Sequence, residues 1–329
     1  MTFIVGIIGA GRMGRLHVNN LQLLPERVLV KSVSDNVYLD TWRANKNIKV
    51  LTKNYRDILK DEEVDAVFIC SPTETHCDMI KEVASAGKNI FCEAPISFTI
   101  EEVEAALEEV EKAGVKLQIG FNLRFDPNFR KVHKFVRNGE IGKPRILRLI
   151  SHDPYSPYKT SSNSSYTLMD LSMHEFDIAR YIMGCEVIEV STYGGVFSSS
   201  DLQNPQDLDT AMISLKFENG ALGIIEKCHS PSCTYDQRLE ILGEKGLAQA
   251  DNNQTATVEL ATNKYVKKEK PPSFLIERYK QSYIAEIGHF VKACMENHEV
   301  SCKGFDGLQS VRIAKAAKKS LETAKSVKL

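Results

Sequence analysis

"FIVGIIGAGRMGRLH", residues 3–17, decides the fold. An apolar run rich in β-branched residues leads directly into Gly9-Ala10-Gly11-Arg12-Met13-Gly14, and an amphipathic stretch follows at once. A glycine-x-glycine-x-x-glycine pattern alone is a weak signal. Between a strand and a helix it acquires a mechanism. Gly9 permits a tight turn, Gly11 lets the backbone approach a pyrophosphate, and Gly14 lets helix and strand pack closely. The helix start offers unpaired N–H groups and a positive dipole end to the phosphates. Arg12 and Met13 are counted with the three glycines as cofactor-binding residues. The loop alone leaves open a glycine-rich turn without a ligand, and FAD.

Working outward, "VLVKSVSD" (28–35) reads as the second strand, and Asp35 ends it about twenty residues after the loop. An acid there accepts hydrogen bonds from an adenosine ribose and repels a 2′-phosphate. Asn36, Val37 and Tyr38 follow in place of an arginine, so NAD(H) is expected over NADP(H). "KVLT", "DAVFICS" and "NIFCE" read as later strands, with helical patterns such as "THCDMIKEVASAG" and "TIEEVEAALEEVEKAG" between them. Gly87 and Gly114 stand where helix ends need a left-handed residue. Along the first helix, Met13, Leu16, Leu21 and Leu24 form most of one apolar face.

Strand–helix alternation implies a parallel sheet with right-handed crossovers. Ligands of such sheets lie across the C-terminal strand ends. "CSPTETH" (70–76) and "CEAPIS" (92–97) are therefore expected to border the ribose and nicotinamide. Ser71, Pro72 and Thr73 are expected to supply backbone and hydroxyl contacts, and Glu93 is either an acceptor from the nicotinamide ribose or a strand-end surface acid. His76 is either a cofactor neighbour or a partly buried helical histidine.

Beyond about residue 122 the rhythm changes. A helix is expected over 127–138, a strand over 145–152, a Ser/Pro/Tyr-rich loop over 153–165 and a helix over 166–183. "DTAMISLKF" and "ALGIIEKC" flank Glu218-Asn219-Gly220 as a hairpin. Two helices, 275–297 and 306–325, close the chain. The expected fold class is α/β. An N-terminal Rossmann doubly wound parallel sheet (1–122) binds the dinucleotide. A C-terminal α+β domain (123–329), with a large, mostly antiparallel open sheet, serves substrate binding and oligomerisation.

Composition excludes several function classes. The chain has 329 residues, 43% hydrophobic content and a net charge of -1. That balance argues against nucleic acid or an anionic membrane as a constitutive partner. No apolar stretch approaches the roughly twenty residues that cross a bilayer. No charged leader or cleavage site opens the chain, so no signal peptide is expected. The eight cysteines are scattered without a Cys-x-x-Cys pair, which suits reduced core thiols and a cytoplasmic location.

"GIIGAGRMGRLH", "CSPTETH", "GKNIFCEAPIS", "QIGFNLRFDPNF", "SHDP" and "MDLSMHEFDIARY" occur in one order. Together they resemble the glucose–fructose oxidoreductase, inositol dehydrogenase and MocA family, and most closely its inositol 2-dehydrogenase branch. The resemblance implies a Glu-Lys-Pro at 93–95, whose lysine hydrogen-bonds the reacting hydroxyl and manages its proton. Here Ala94 stands in that catalytic place. A second departure is Leu123 where the branch often has arginine, although Arg124 remains. The resemblance also sets His174 opposite the nicotinamide as proton acceptor, with Asp170 orienting it or binding a neighbouring hydroxyl. Arg124, His152 and Tyr235 match polar positions around a polyol, with Asn122 beside them; on the residues alone His152 is equally a surface-loop histidine and Tyr235 an ordinary strand aromatic.

The residues support part of this independently. Asp170 and His174 are spaced i, i+4 and share a helix face. Oxidising a secondary alcohol requires loss of its O–H proton, and a neutral imidazole takes one near neutrality. Taken alone, such a pair is also an ordinary structural hydrogen bond. "HEFD" is not a recognised metal-ligand motif, and no metal is expected.

The expected activity is NAD-dependent hydride transfer between a secondary alcohol of a cyclic polyol or sugar and nicotinamide, impaired or altered by Ala94. Ala94 has three readings: an engineered change that traps bound ligands, a natural site that works through His174 and water, or a non-catalytic binder. The alternatives are a catalytically silent NAD(H) sensor or scaffold, and a family member that uses NAD in glycoside cleavage. Family members commonly associate through the second domain's sheet, which implies a homodimer or homotetramer.

Overall fold

The computed structural model describes residues 2–25, 27–36, 48–154, 168–197, 208–229, 235–254, 256–272 and 274–329. Val37, Tyr38, most of the 153–165 loop and the side chain of Asp170 lie outside the described residues.

The chain opens with β1 (Phe3–Ile8), α1 (Arg12–Leu21), β2 (Val28–Ser34), β3 (Val50–Thr52), α2 (Arg56–Leu59), β4 (Ala66–Ile69), α3 (His76–Ser85), β5 (Asn89–Glu93), α4 (Ile100–Ala113) and β6 (Leu117–Gly120). The strands pair in the order β3-β2-β1-β4-β5-β6, each pair parallel. The reason is legible locally. β4 is buried along its whole length, as a parallel strand covered on both faces must be. Gly114 ends α4 in the left-handed region at φ 66°, and Gly87 follows α3 at φ 71°. α1 departs from expectation: its buried face is wider than four apolar residues and includes His17 and Asn20, while Met13 is half-buried.

A 3-10 turn over Asn122–Phe125 leads into α5 (Pro127–Arg137). Then come β7 (Pro144–Asp153), α6 (Leu168–Met183), β8 (Val187–Gly195), β9 (Thr210–Phe217), β10 (Leu222–His229), β11 (Asp236–Gly243) and β12 (Leu247–Ala250). The small pair β13 (Glu259–Ala261) and β14 (Val266–Lys268) precedes α7 (Leu275–Arg278), α8 (Lys280–Met295), α9 (Gly304–Thr323) and β15 (Val327–Lys328). The second sheet has the order β12-β11-β7-β10-β9-β8-β15, with β7 and β10 parallel and the other pairs antiparallel. The β9–β10 hairpin turns at Gly220, φ 84°, where the Asn219 side chain accepts from the Ala221 N–H. Ala211, Ile213, Leu215 and Phe217 are buried, while Met212, Ser214 and Lys216 are exposed, the period-two pattern of a half-buried strand.

Two compact units result, residues 1–125 with 281–311 and residues 126–280 with 312–329. The chain thus contributes to the first unit twice. The cause is apolar burial: Ile287, Phe290 and Val291 of α8 join Phe3, Val5, Phe68 and Phe91 of the first sheet in one core. Phe68 and Phe91 stack with centroids 4.8 Å apart, and Phe290 meets Phe68 edge-on at 5.5 Å. In the second unit α6 packs on β7 and β10. Residues whose side chains alternate away from the buried ones leave Ile146, Met212 and Leu222 exposed on the sheet. No helix among the described residues is long and apolar enough to cross a membrane.

Candidate active site

In the first unit, β1 and β4 are neighbours although β2 and β3 lie between them in sequence, so the strand order reverses there. A cleft of about 480 Å³ opens at this point. Its walls are Gly9 and Gly11 after β1, Ser34 at the end of β2 with Asp35 and Asn36 after it, Lys53 and Tyr55 after β3, and Ser71, Pro72, Thr75 and Met79 after β4.

The three glycines differ physically. A Cβ on Gly9, φ 97°, would stand 2.5 Å from the Cys70 carbonyl oxygen, and one on Gly14 would stand 1.9 Å from that of Gly9. Both positions are closed by the protein itself. A Cβ on Gly11 meets nothing within 4 Å. Gly11 is also the N-cap of α1 and provides no side-chain cap, so the first-turn N–H groups face a site shaped for an external anion. Asp35 Oδ2 accepts the Ala10 N–H at 2.7 Å, which ties the end of β2 to the loop and holds the carboxylate on the cleft wall. Arg12 and Met13 begin α1, and Arg12 is exposed there.

Around residue 94 the frame is tightly specified. His17, fully buried in α1, bonds Glu93 through Nε2, among the rings of Phe68, Phe91 and Tyr283. His76 Nδ1 lies 2.8 Å from the Pro95 carbonyl oxygen and Nε2 lies 2.8 Å from that of Ser71. Burial lowers the His76 pKa below its usual value, against the pull of these two carbonyls. His76 thus stands between the 70–76 and 93–97 loops, its single N–H when neutral donating to one of the two carbonyls, and is a positioning residue. Ser71 Oγ and Thr75 Oγ1 share a 2.7 Å hydrogen bond, and Thr75 Oγ1 donates to the Pro72 carbonyl. Thr73 begins a 3-10 turn between them. Ala94, half-buried, joins Pro95 through a cis peptide bond. His17, Cys70 and Glu93 present ligand atoms within 4.8 Å of one another. His17 already engages Glu93 in a hydrogen bond that braces the end of β5, and burial pushes the Cys70 thiol beside them well up.

Asn122 and Arg124 are buried in the first unit. Asn122 Nδ2 donates to Ser282 Oγ at 3.3 Å. Arg124 donates to the Ser301 carbonyl at 2.8 Å and pairs with Asp306 at 2.8 Å. These bonds hold the chain's second passage through the unit, a role the sequence did not disclose.

In the second unit α6 carries Asp170 and His174, and His174 is half-buried. Tyr235 is buried just before β11, with its ring edge-on to Tyr279 at 6.0 Å. His152 sits 3.1 Å from Glu226, a residue of the adjacent strand whose neighbours in the alternation are buried. The period of two separates His152 from Ser151 and Asp153. Those two meet Lys227, which is buried and donates to Ser151 Oγ (2.9 Å), Asp153 Oδ2 (2.9 Å) and Glu175 Oε1 of α6 (3.1 Å). Gln237 Nε2 donates to Ser151 Oγ and Asp153 Oδ1, and His229 Nε2 lies 3.1 Å from Asp153. The structure therefore brings Asp153, not His152, to the side that α6 covers. Burial would raise the Asp153 carboxyl, but the Lys227 ammonium and His229 outweigh it and hold it well below the usual carboxylate range. Burial would lower Lys227, and Asp153 and Glu175 raise it instead.

Sequence reasoning missed His17 and Lys227. Both carried a signal. His17 lies three residues after Gly14, on the helix face that must pack. Lys227 continues the inward series Gly223, Ile225 of β10, so the alternation itself buries a lysine.

Comparison with known proteins completes the picture. Residues 3–121 match the family model described as "Oxidoreductase family, NAD-binding Rossmann fold". Residues 133–329 match its companion, "Oxidoreductase family, C-terminal alpha/beta domain". The chain belongs to this family of glucose–fructose oxidoreductases, inositol dehydrogenases and MocA proteins, and its first unit is an NAD-binding Rossmann domain. It is 48% identical over 323 residues (97% of this chain, 94% of the other) to uncharacterized oxidoreductase YrbE of Bacillus subtilis. It is 40% identical over 331 residues (99% and 98%) to myo-inositol 2-dehydrogenase of Thermotoga maritima. The crystal structure of scyllo-inositol dehydrogenase from Lactobacillus casei, with bound NAD(H) and scyllo-inositol, superposes with a TM-score of 0.93 at 26% identity, covering 100% of this chain and 99% of that one.

Gly11→Ala is expected to fold with a stability loss of about 1 kcal/mol or less, the size of an N-cap change, yet to lose NADH affinity in a fluorescence titration. Gly14→Ala is expected to lose both, because its methyl meets the Gly9 carbonyl. Equal thermal stability of the two variants would contradict this division.

Lys227→Met is expected to cost about 3–5 kcal/mol at neutral pH, since it strands a buried carboxylate. The native Asp153 carboxyl is depressed, so its contribution is present above about pH 3.9 and lost as pH falls through its lower folded value. In Lys227→Met the ammonium is lost and burial is opposed by His229, so Asp153 rises from its native value and the difference from the native chain shrinks on acidification. Urea midpoints of both proteins at neutral and mildly acid pH give the test. A difference that does not change with pH would refute the assignment.

Proposed function

We propose that the chain is an NAD-dependent dehydrogenase of the inositol 2-dehydrogenase type, acting on a secondary alcohol of a cyclic polyol or related sugar. The observation that carries this reading is the cleft at the strand-order reversal, open at Gly11, with Glu93 and Pro95 braced by His17 and His76. The names of the two inositol dehydrogenases among its relatives supply the substrate class.

Bound NAD supplies a hydride acceptor. The chain's residues supply the rest. The imidazole of His174 accepts the hydroxyl proton as general base. Asp170, one helical turn before it, orients the ring or a neighbouring hydroxyl. A ring of hydroxyls needs several partners, because each buried one left unpaired is costly. Arg124, Tyr235 and Asn122 are the proposed donors and acceptors, without His152, which faces away from α6. Ala94 offers neither charge nor proton, so turnover is slower than an ammonium at that place would allow. Glu93 accepts from the nicotinamide ribose, and Ser71, Pro72 and Thr73 flank it. The compartment that suits these reactions and the reduced thiols is the cytoplasm.

NADH formation from NAD and a panel of inositols and aldoses, with this chain and with Ala94→Lys, tests the proposal. Ala94→Lys is expected to raise the rate by about a hundred- to ten-thousand-fold. Its backbone frame needs no rebuilding, since neither brace uses the side chain at 94. No turnover by either protein, with NADH binding intact, would establish a silent NAD(H) sensor. Release of an aglycone from glycosides would establish NAD-dependent glycoside cleavage.

The exposed Ile146, Met212 and Leu222 on the second sheet also favour association through that face, as a homodimer or homotetramer. Sedimentation at micromolar concentration is expected to show an oligomer that Met212→Glu weakens. A monomer throughout would overturn it.

A further inference from the structure

The cofactor cleft has a cation on its wall that the nucleotide-binding pattern does not require. β2 and β3 run parallel with Ser32, Val33 and Ser34 opposite Val50, Leu51 and Thr52, and the Asp35 N–H donates to the Thr52 carbonyl at 3.2 Å. The next pair in this register is Asp35 and Lys53. Paired residues of adjacent parallel strands project to the same side. Both of these line the cleft, together with Asn36 and Tyr55.

The neighbouring charges sharpen the case. One Asp35 oxygen is committed to the Ala10 N–H, so the carboxylate cannot swing away from an arriving ribose. Arg56, the next cation after β3, is gripped by both oxygens of Glu82 at 2.8 and 2.6 Å, and Tyr55 donates to the same carboxylate at 2.9 Å. Lys53 is exposed, on a long flexible stem, on the same wall as the carboxylate that selects the ribose.

We propose that Lys53 is the cation that meets a 2′-phosphate in this cleft. The preference for NAD over NADP is then a contest between Asp35 and Lys53. Asp35 accepts from the 2′-hydroxyl of NAD and repels the phosphate of NADP. Lys53 pulls the other way and leaves the chain a latent NADP(H) site. The inference rests on this cleft holding the adenosine half of the cofactor.

Equilibrium binding of NADH and NADPH to the full-length chain tests it, with the native protein, Lys53→Gln, Asp35→Asn and the double variant. Asn preserves the acceptor for the Ala10 N–H, so the loop keeps its anchor. Asp35→Asn is expected to raise the NADPH-to-NADH affinity ratio about tenfold or more, and Lys53→Gln to lower it by about the same factor in both backgrounds, the size of one charge-assisted hydrogen bond. The fragment pair 2′,5′-ADP and 5′-AMP is expected to show the same ratio changes. A ratio indifferent to Lys53→Gln in the Asp35→Asn background, while NADH still binds all four proteins, overturns this inference alone. A native protein that binds neither nucleotide removes the cofactor cleft and the inference with it.

Discussion

A single close approach governs the first unit: α1 begins so near the strand that feeds it that residue 14 has no space for a methyl group. A Cβ there would fall 1.9 Å from the Gly9 carbonyl oxygen. Because the helix lies so low on the sheet, its N-terminus ends at the reversal of strand order, where the dipole and the first-turn amides attract an anion. The same placement aims the next inward position, three residues on, into the core. There His17 reaches across to Glu93 at the end of β5. One contact therefore sets both the phosphate cradle and a brace for the segment that bears Ala94.

That brace changes how Ala94 is understood. Glu93 is held from α1, and Pro95 is flanked from α3 by a ring that also lies 2.8 Å from the Ser71 carbonyl oxygen. The residue between them contributes nothing to these bonds. A change of side chain at this position therefore alters one chemical group and leaves these braces in place. A cofactor cradle needs these backbone positions whether or not proton transfer is fast.

Much of this was legible in sequence because local rules and tertiary packing agree. The Gly9–Gly14 loop, the left-handed Gly87 and Gly114, and the Asn219-Gly220 turn each require a backbone state that few residues tolerate, so each announces itself. The apolar β4 and the alternating β9 declare their burial by period alone. What stayed hidden was long-range. Nothing local says that Ile287 and Phe290 return to the first core, or that Arg124 spends its charge on Asp306, far along the chain. The placement of His152 failed to follow from motif matching, because a motif names a strand and not the face a side chain takes. Alternation from the buried Ser151 would have resolved it.

The charged layer beneath α6 has a further consequence for register. A buried lysine held by two carboxylates is no more stabilising than a well-packed apolar trio, so stability does not account for it. Register does. β7 and β10 form the parallel pair of the second sheet, and α6, β8 and β9 intervene between them in sequence. No tight turn sets their alignment, as one does for β9 and β10. A slip of one residue would turn Lys227 outward and bring Glu226 against Asp153 and Glu175, like charge against like in a poorly solvated layer. Lys227 penalises that alternative directly. Since Glu175 follows His174 on the same helix, the ion pairs that align the two strands also fix the helix carrying the proposed base.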